Sequence, residues 1–274
     1  MNGSHRYALM ECVQIFDEQY RAPLEKLFRL VCFLRHLRLK DYKEYSFYNI
    51  LTPFEKAFLE GHNLRIQKFL NKIEPMLLPG DRILNVGLSV FDLLFMDKFK
   101  EKRLEYKVAV PNSNFGKVNQ YDNIPLVEIN LCDPKTPTSL EGYFDWIILS
   151  GVLEHLFCDD EMVFSYLNSF LRDMGKLIVV VPNAASFVNR FHLLMGKNIH
   201  WKKSEILGGT EFGGYGHIRE YTRNELEIMG KKYFKLEKLT PVSDYMIRGI
   251  NVSFLNRILP VTWAIDLEAY YVKT

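Results

Sequence analysis

Cysteine is scarce in this chain. The four residues, Cys12, Cys32, Cys132 and Cys158, are scattered through 274 positions with none of the short spacings that hold a metal. Free thiols in a reducing compartment, and so a cytoplasmic protein, are the expectation. Charge of one sign is lacking too: 35 Lys and Arg face 33 Asp and Glu, a formal net charge of +2 that is too near neutral to argue for nucleic acid. No segment reaches the roughly 20 apolar residues that span a bilayer, and the N-terminus has no signal-peptide pattern. Met1 to His5 are polar and carry no reading. There is no internal repeat and no low-complexity tract. The hydrophobic content of 48% is ordinary, which suits one large α/β domain, or one domain with a helical extension.

The chain opens on helical periodicity. Leu24, Leu27, Phe28, Val31, Leu34 and Leu37 recur at three- and four-residue steps, with Lys26, Arg29, Arg35, Arg38 and Lys40 between them. Such a basic amphipathic helix either lies on an anionic membrane surface as a peripheral contact or caps a core, and the cap is the commoner role. Residues 1–61 are expected to form this helical extension and 62–274 the main domain. A further helix is expected over His62–Leu77, ending before the breaker pair Pro79-Gly80.

Beyond Gly80 the pattern alternates. Strands are expected at Arg82–Val86, Glu105–Val110, Leu126–Asn130, Trp146–Ser150 and Lys176–Val181, with helices near Asp92–Lys100 and Asp160–Leu171. Short apolar strands between helices indicate a mostly parallel sheet covered on both faces. Residues 183–217 break the rhythm with Gly196, Gly208, Gly209, Gly213, Gly214 and Gly216 and several aromatics, an excursion that reads as a lid. Thr222-Arg223-Asn224-Glu225 is a capping box opening a helix to about Lys232, and two last strands fall near Lys235–Leu239 and Leu267–Lys273.

Four stretches carry a likeness, in order: Ile83-Leu84-Asn85-Val86-Gly87-Leu88-Ser89-Val90-Phe91; Phe144–Leu156 with its Val152-Leu153-Glu154-His155-Leu156; Met174–Asn183; and Gly216-His217-Ile218-Arg219-Glu220-Tyr221-Thr222. Together they resemble the class I S-adenosylmethionine-dependent methyltransferases, closest to the small-molecule, quinone-precursor and polysaccharide branch. The likeness runs from about His62 to the C-terminus. It implies an α/β, Rossmann-like sheet of seven strands, one antiparallel, with S-adenosylmethionine as cofactor over the first strands.

The cofactor motif is degenerate. In the family an acid precedes the glycine loop, another ends the second strand and a third follows the third strand. Here Asn85, Asn112 and Asn130 stand at those places, and Ser89 and Phe91 replace the second and third glycines, with Gly87 retained. Exchanging a charged partner for an amide costs about 1 kcal/mol per site, so two exchanges weaken binding roughly tenfold or more. The Phe91 ring either turns into the core or fills the cofactor's volume. By resemblance Leu131, Ser150 and Gly151 complete the cofactor set.

Methyl transfer needs alignment of donor and acceptor and, for a hydroxyl acceptor, a base. The resemblance places Glu154 and His155 there as candidate catalytic residues, with His155 the base; the rival reading of His155 is a backbone hydrogen bond at a helix start. Some relatives hold a divalent cation through Glu-x-x-Glu-His at this place, but Gly151 replaces the first Glu, and two ligands rarely make a site, so no metal is expected. Tyr215, His217 and Arg219 are the expected substrate contacts, with Arg219 alternatively anchoring the loop through Glu220 or Glu225; Trp201, His200 and Phe212 could extend an aromatic wall. The resemblance thus implies methyl transfer to a small-molecule or glycan-type acceptor, with a sugar- or lipid-linked substrate included. The alternative is a catalytically inactive fold member serving as binding partner or scaffold. No basic stripe favours RNA, and the sequence does not address oligomeric state.

Overall fold

The computed structural model describes residues 42–112, 123–134, 138–208, 216–242, 246–247, 250–251 and 260–274; the amphipathic segment around Leu24–Leu37, with Cys12 and Cys32, lies outside them. Helix α1 (Pro53–Ile73) begins where the sequence supplies a cap. Thr52 Oγ1 accepts from the Glu55 N–H at 3.3 Å, the Glu55 carboxylate accepts from the Thr52 N–H at 2.8 Å, and Pro53 occupies the first turn, where no N–H is needed. The helix therefore starts well before His62 and runs unbroken through residue 61, so no linker marks the expected boundary there.

The remaining elements follow the expected alternation. They are β1 (Arg82–Val86), α2 (Val90–Phe99), β2 (Glu105–Val110), β3 (Leu126–Glu128), β4 (Phe144–Ser150), α3 (Asp160–Phe170) and β5 (Leu171–Pro182), then α4 (Phe187–Leu194), α5 (Lys203–Gly208), α6 (Arg223–Ile228), β6 (Phe234–Val242) and β7 (Asp266–Lys273). One seven-stranded sheet results, ordered β3-β2-β1-β4-β5-β7-β6. The first five strands pair in parallel, and β7 runs antiparallel to β5 and β6.

The central strands β1 and β4 are buried on both faces, which is why they read as continuous apolar runs. On β4, Trp146 and Ile148 meet Ile83, Phe69 of α1 and Phe95 of α2. Ile147 and Leu149 face the other way, into a cluster with Leu84, Phe164 of α3 and Leu226 of α6. Truncating a fully buried ring such as Phe164 to Ala would cost about 3–5 kcal/mol.

Two ion pairs stitch α1 to the last strand. Arg65 meets Asp266 and Lys72 meets Glu268, each at 2.9 Å, and both carboxylates are buried. Pairing of this kind offsets the cost of burying a carboxylate.

Two expectations change. The excursion after Pro182 is not a bare loop but carries α4 and α5; residues 209–215, with Phe212 and Tyr215, fall outside the described set. Helix α6 stops at Ile228, short of Lys232, because Gly230 (φ +67) crosses the Phe164 ring where an added Cβ would lie 2.2 Å from Cδ1.

Candidate functional site

The carboxyl ends of the parallel strands point to one edge of the sheet, where ligands of open α/β folds bind. The β1–α2 turn is built by a second capping box. Ser89 Oγ accepts from the Phe91 N–H at 3.2 Å, and the Ser89 N–H donates to Asp92 Oδ2 at 2.7 Å. Asn85 lies beneath, donating to the Gly87 carbonyl at 3.0 Å and to Asp92 Oδ1 at 2.7 Å; the Tyr106 hydroxyl donates to the same oxygen at 2.6 Å. Asp92 is fully buried, and burial pushes its pKa up to about 6 against these hydrogen bonds. Gly87 holds φ +89, and a Cβ on it would stand 2.9 Å from Val152 Cγ2, so the turn closes tightly on the segment after β4.

Asn85, Gly87, Ser89, Phe91 and Ser150 come together around a hollow of about 70 Å³. The Phe91 ring packs toward α1 and α2, its centroid 5.8 Å from Phe69 and 6.0 Å from Phe95, and forms part of the wall of the hollow. Arg65 and Lys72 of α1 and Glu268 of β7 complete the lining, none of them foreseen from the sequence. The enclosed volume is well below the roughly 300–1,000 Å³ of pockets that take a whole ligand. Asn112 and Asn130 are exposed beyond β2 and β3. Those two residues, with the buried Leu131, do not line the hollow.

Beyond β3 the expectation of free thiols fails for two of the cysteines. Cys132 and Cys158 form a disulfide, their Cα atoms 5.3 Å apart. The loops after β3 and β4 leave the same edge of the sheet and converge, an adjacency that spacing along the chain conceals. This bond removes the cysteine argument for a reducing compartment. Among the described residues no helix is long and apolar enough to cross a membrane.

The turn after β4 carries the other group. Gly151 donates its N–H to the Val180 carbonyl at 3.0 Å and leads into a 3-10 turn, Leu153–His155. Glu154 is only 3% exposed, and its Oε2 is buried without a hydrogen-bond partner among the described residues. Burial pushes its carboxyl up to about 7. The segment from Gly216 is clipped over it: the Ile218 N–H donates to the Glu154 carbonyl at 2.8 Å. That clip brings the His217 ring to 5.1 Å from His155 and 5.0 Å from Trp201. His155 Nδ1 lies 3.4 Å from the Gly216 carbonyl, and burial, then the neighbouring His217, holds its pKa below the ordinary histidine value. His217 Nδ1 lies 3.3 Å from Glu220 Oε1.

Glu154, His155 and His217 each offer a donor atom within 4.8 Å of the others. The sequence count of two metal-type donors thus becomes three, the number that an open catalytic zinc site uses. Arg219, in contrast, is occupied by Asp160 at 3.2 Å and by Glu225, with its guanidinium 5.1 Å above the Tyr221 ring. Tyr221 in turn donates to Asp160 at 2.8 Å. These contacts hold the 216–222 segment in place. Tyr215 lies outside the described residues.

No family model and no curated protein matches the chain. Solved structures do. An S-adenosylmethionine-dependent methyltransferase from Thermotoga maritima aligns over 81% of this chain and 94% of its own, with TM-score 0.55 at 15% identity. One from Aquifex aeolicus covers 84% and 97% with TM-score 0.50 at 12% identity, and one from Methanosarcina mazei covers 74% and 96% with TM-score 0.50 at 14%. The fold is the Rossmann-like class I methyltransferase sheet.

Proposed function

We propose that the chain is an S-adenosylmethionine-dependent methyltransferase that methylates a hydroxyl on a small-molecule or glycan-type acceptor, sugar- or lipid-linked acceptors included. The observation that carries this is the unpartnered, buried Glu154 oxygen beside two imidazoles, four residues beyond Ser150 of the hollow. Such a group is costly to keep unless it serves a ligand.

When bound, S-adenosylmethionine supplies an electrophilic methyl group on a sulfonium. Arg65, Lys72 and Glu268 border the place for its aminoacyl end, and the Gly87 turn lets backbone approach closely. His155 stays neutral at physiological pH because burial disfavours its cation, so a ring nitrogen can take the acceptor's proton as the oxygen is alkylated. Glu154 and His217 flank that ring, close enough to orient the acceptor hydroxyl toward it.

A second reading has its own observation. The polar groups of the β1–α2 turn are engaged internally, through Ser89, Asp92 and Asn85, which suits a fold member kept as a scaffold. Calorimetry with S-adenosylhomocysteine decides between them. Saturable binding at micromolar to submillimolar ligand supports the enzyme; no heat at millimolar ligand leaves the scaffold. With binding established, His155→Ala is expected to abolish turnover while changing that affinity little.

A further inference from the structure

Helix α4 and the segment after it present an exposed apolar tip within a stretch of sequence whose only charges are cations. Leu193, Leu194 and Met195 are 56%, 82% and 55% exposed, and α4 has no buried residue. Between Asn183 and Ser204 the chain carries Arg190, Lys197, Lys202 and Lys203 and no Asp or Glu. The tip does not dangle. Ser186 caps the helix by accepting from the Asn189 N–H at 3.2 Å, and the Asn189 side chain donates to Glu220 Oε2 at 2.8 Å. Arg190 lies 5.3 Å over the ring of Trp263, itself 40% exposed. The same excursion supplies Trp201, whose ring abuts His217 at the mouth of the candidate site.

We propose that this tip is a membrane-docking element. It inserts Leu193, Leu194 and Met195 into the interface of an anionic bilayer while the surrounding Lys and Arg side chains meet the lipid phosphates, presenting the His155–His217 mouth to an acceptor held in that bilayer. Charge disfavours the nearest rivals: pairing this tip with itself in a second copy sets like cations face to face, and the Leu24–Leu37 segment is basic as well. Shape selects lipid over an acidic protein. Three consecutive projecting apolar side chains need three matching sockets in a rigid partner and none in a fluid interface. Several cations near an anionic surface add attraction that is lost with salt. Only the clause about the acceptor rests on the methyltransferase reading; the docking itself does not.

The test uses the full chain and vesicles, with sedimentation as the readout. The protein is expected to sediment with phosphatidylcholine vesicles containing about 30% phosphatidylglycerol, not with phosphatidylcholine alone, and to be released by salt. The double variant Leu193→Asp with Leu194→Asp is expected to lose about tenfold or more in partition, and Lys202→Glu with Lys203→Glu to lose a comparable amount, with melting midpoint and S-adenosylhomocysteine binding unchanged. Three results overturn the proposal: no sedimentation with anionic vesicles, wild-type partition in the Leu193/Leu194 variant, or self-association that this variant abolishes. Because binding is read without turnover, an inactive protein that still sediments refutes the enzyme and not the docking.

Discussion

Asn85 donates its side-chain amide to Asp92 across a buried gap of 2.7 Å, and this bond gives the amide at position 85 a structural task. A carboxylate at position 85 would face the buried carboxylate of Asp92 with no proton between them. Asn85→Asp is therefore expected to lower stability by about 3 kcal/mol at neutral pH, measured by urea unfolding. An unchanged midpoint would show that the turn does not depend on the amide.

Gly87→Ala is expected to destabilise by about 3 kcal/mol, since it combines a left-handed backbone with a Cβ pressed against Val152. The same variant should lose the calorimetric response to S-adenosylhomocysteine. Full affinity in Gly87→Ala would place the ligand elsewhere.

Glu154 makes stability depend on pH. Its carboxyl holds a proton up to about 7 in the folded chain against an ordinary value of 4.5, so the folded state binds more protons across that window. Stability contributed by this group is present below the lower value and is lost as pH rises through the upper one. The full shift is worth at most about 3 kcal/mol. Relative to Glu154→Gln, the wild type should thus gain stability between about pH 8 and about pH 5 in urea titrations. Parallel profiles for the two proteins would mean that the carboxyl is not desolvated.

Zinc should find Glu154, His155 and His217. At a hundredfold excess over its dissociation constant a bound ion adds about 2.7 kcal/mol, a shift readily seen in thermal melting. The shift is expected to vanish in His217→Ala, and zinc is expected to inhibit methyl transfer by consuming the lone pair that His155 uses as a base. Stimulation by zinc would instead make the cluster a metal centre and remove His155 from its role as base.

Reduction should loosen the carboxyl edge of the sheet. The Cys132–Cys158 bond spans 26 residues of sequence, for which loop-closure entropy gives about 3 kcal/mol. A strong reductant, or Cys158→Ser, should lower the melting midpoint by about 10 °C. An equal midpoint with and without reductant would show that the two loops hold their positions unaided.

The sheet was legible because its central strands are buried on both faces, so Ile83–Val86 and Trp146–Leu149 stand out as apolar runs whatever their tertiary setting. Periodicity set the start of α1 too late, although Thr52-Pro53 followed by Glu55 spells the same capping signal as Thr222 and Glu225. Ser89 and Asp92 spell it again, which is how a buried acid near the glycine turn could have been found. Other features were beyond reach. His217 joins His155 through a backbone clip between segments 61 residues apart, and Cys132 meets Cys158 because two loops converge off one edge. Neither adjacency has a local signature. Arg65 and Lys72 looked like the solvated face of a helix, since their partners Asp266 and Glu268 lie on the last strand.

Those two pairs also order events on the ribosome. Arg65 and Lys72 emerge 201 and 196 residues ahead of the carboxylates that neutralise them. At ordinary elongation rates that is a wait of roughly 10–40 s. Until β7 is synthesised, Arg65 and Lys72 lack the carboxylates that fix them, and the side of the hollow that Glu268 lines is missing. The Phe69 and Phe91 rings find their neighbours on α1 and α2 long before that, so the polar side of the hollow is the last part of this edge to be assembled.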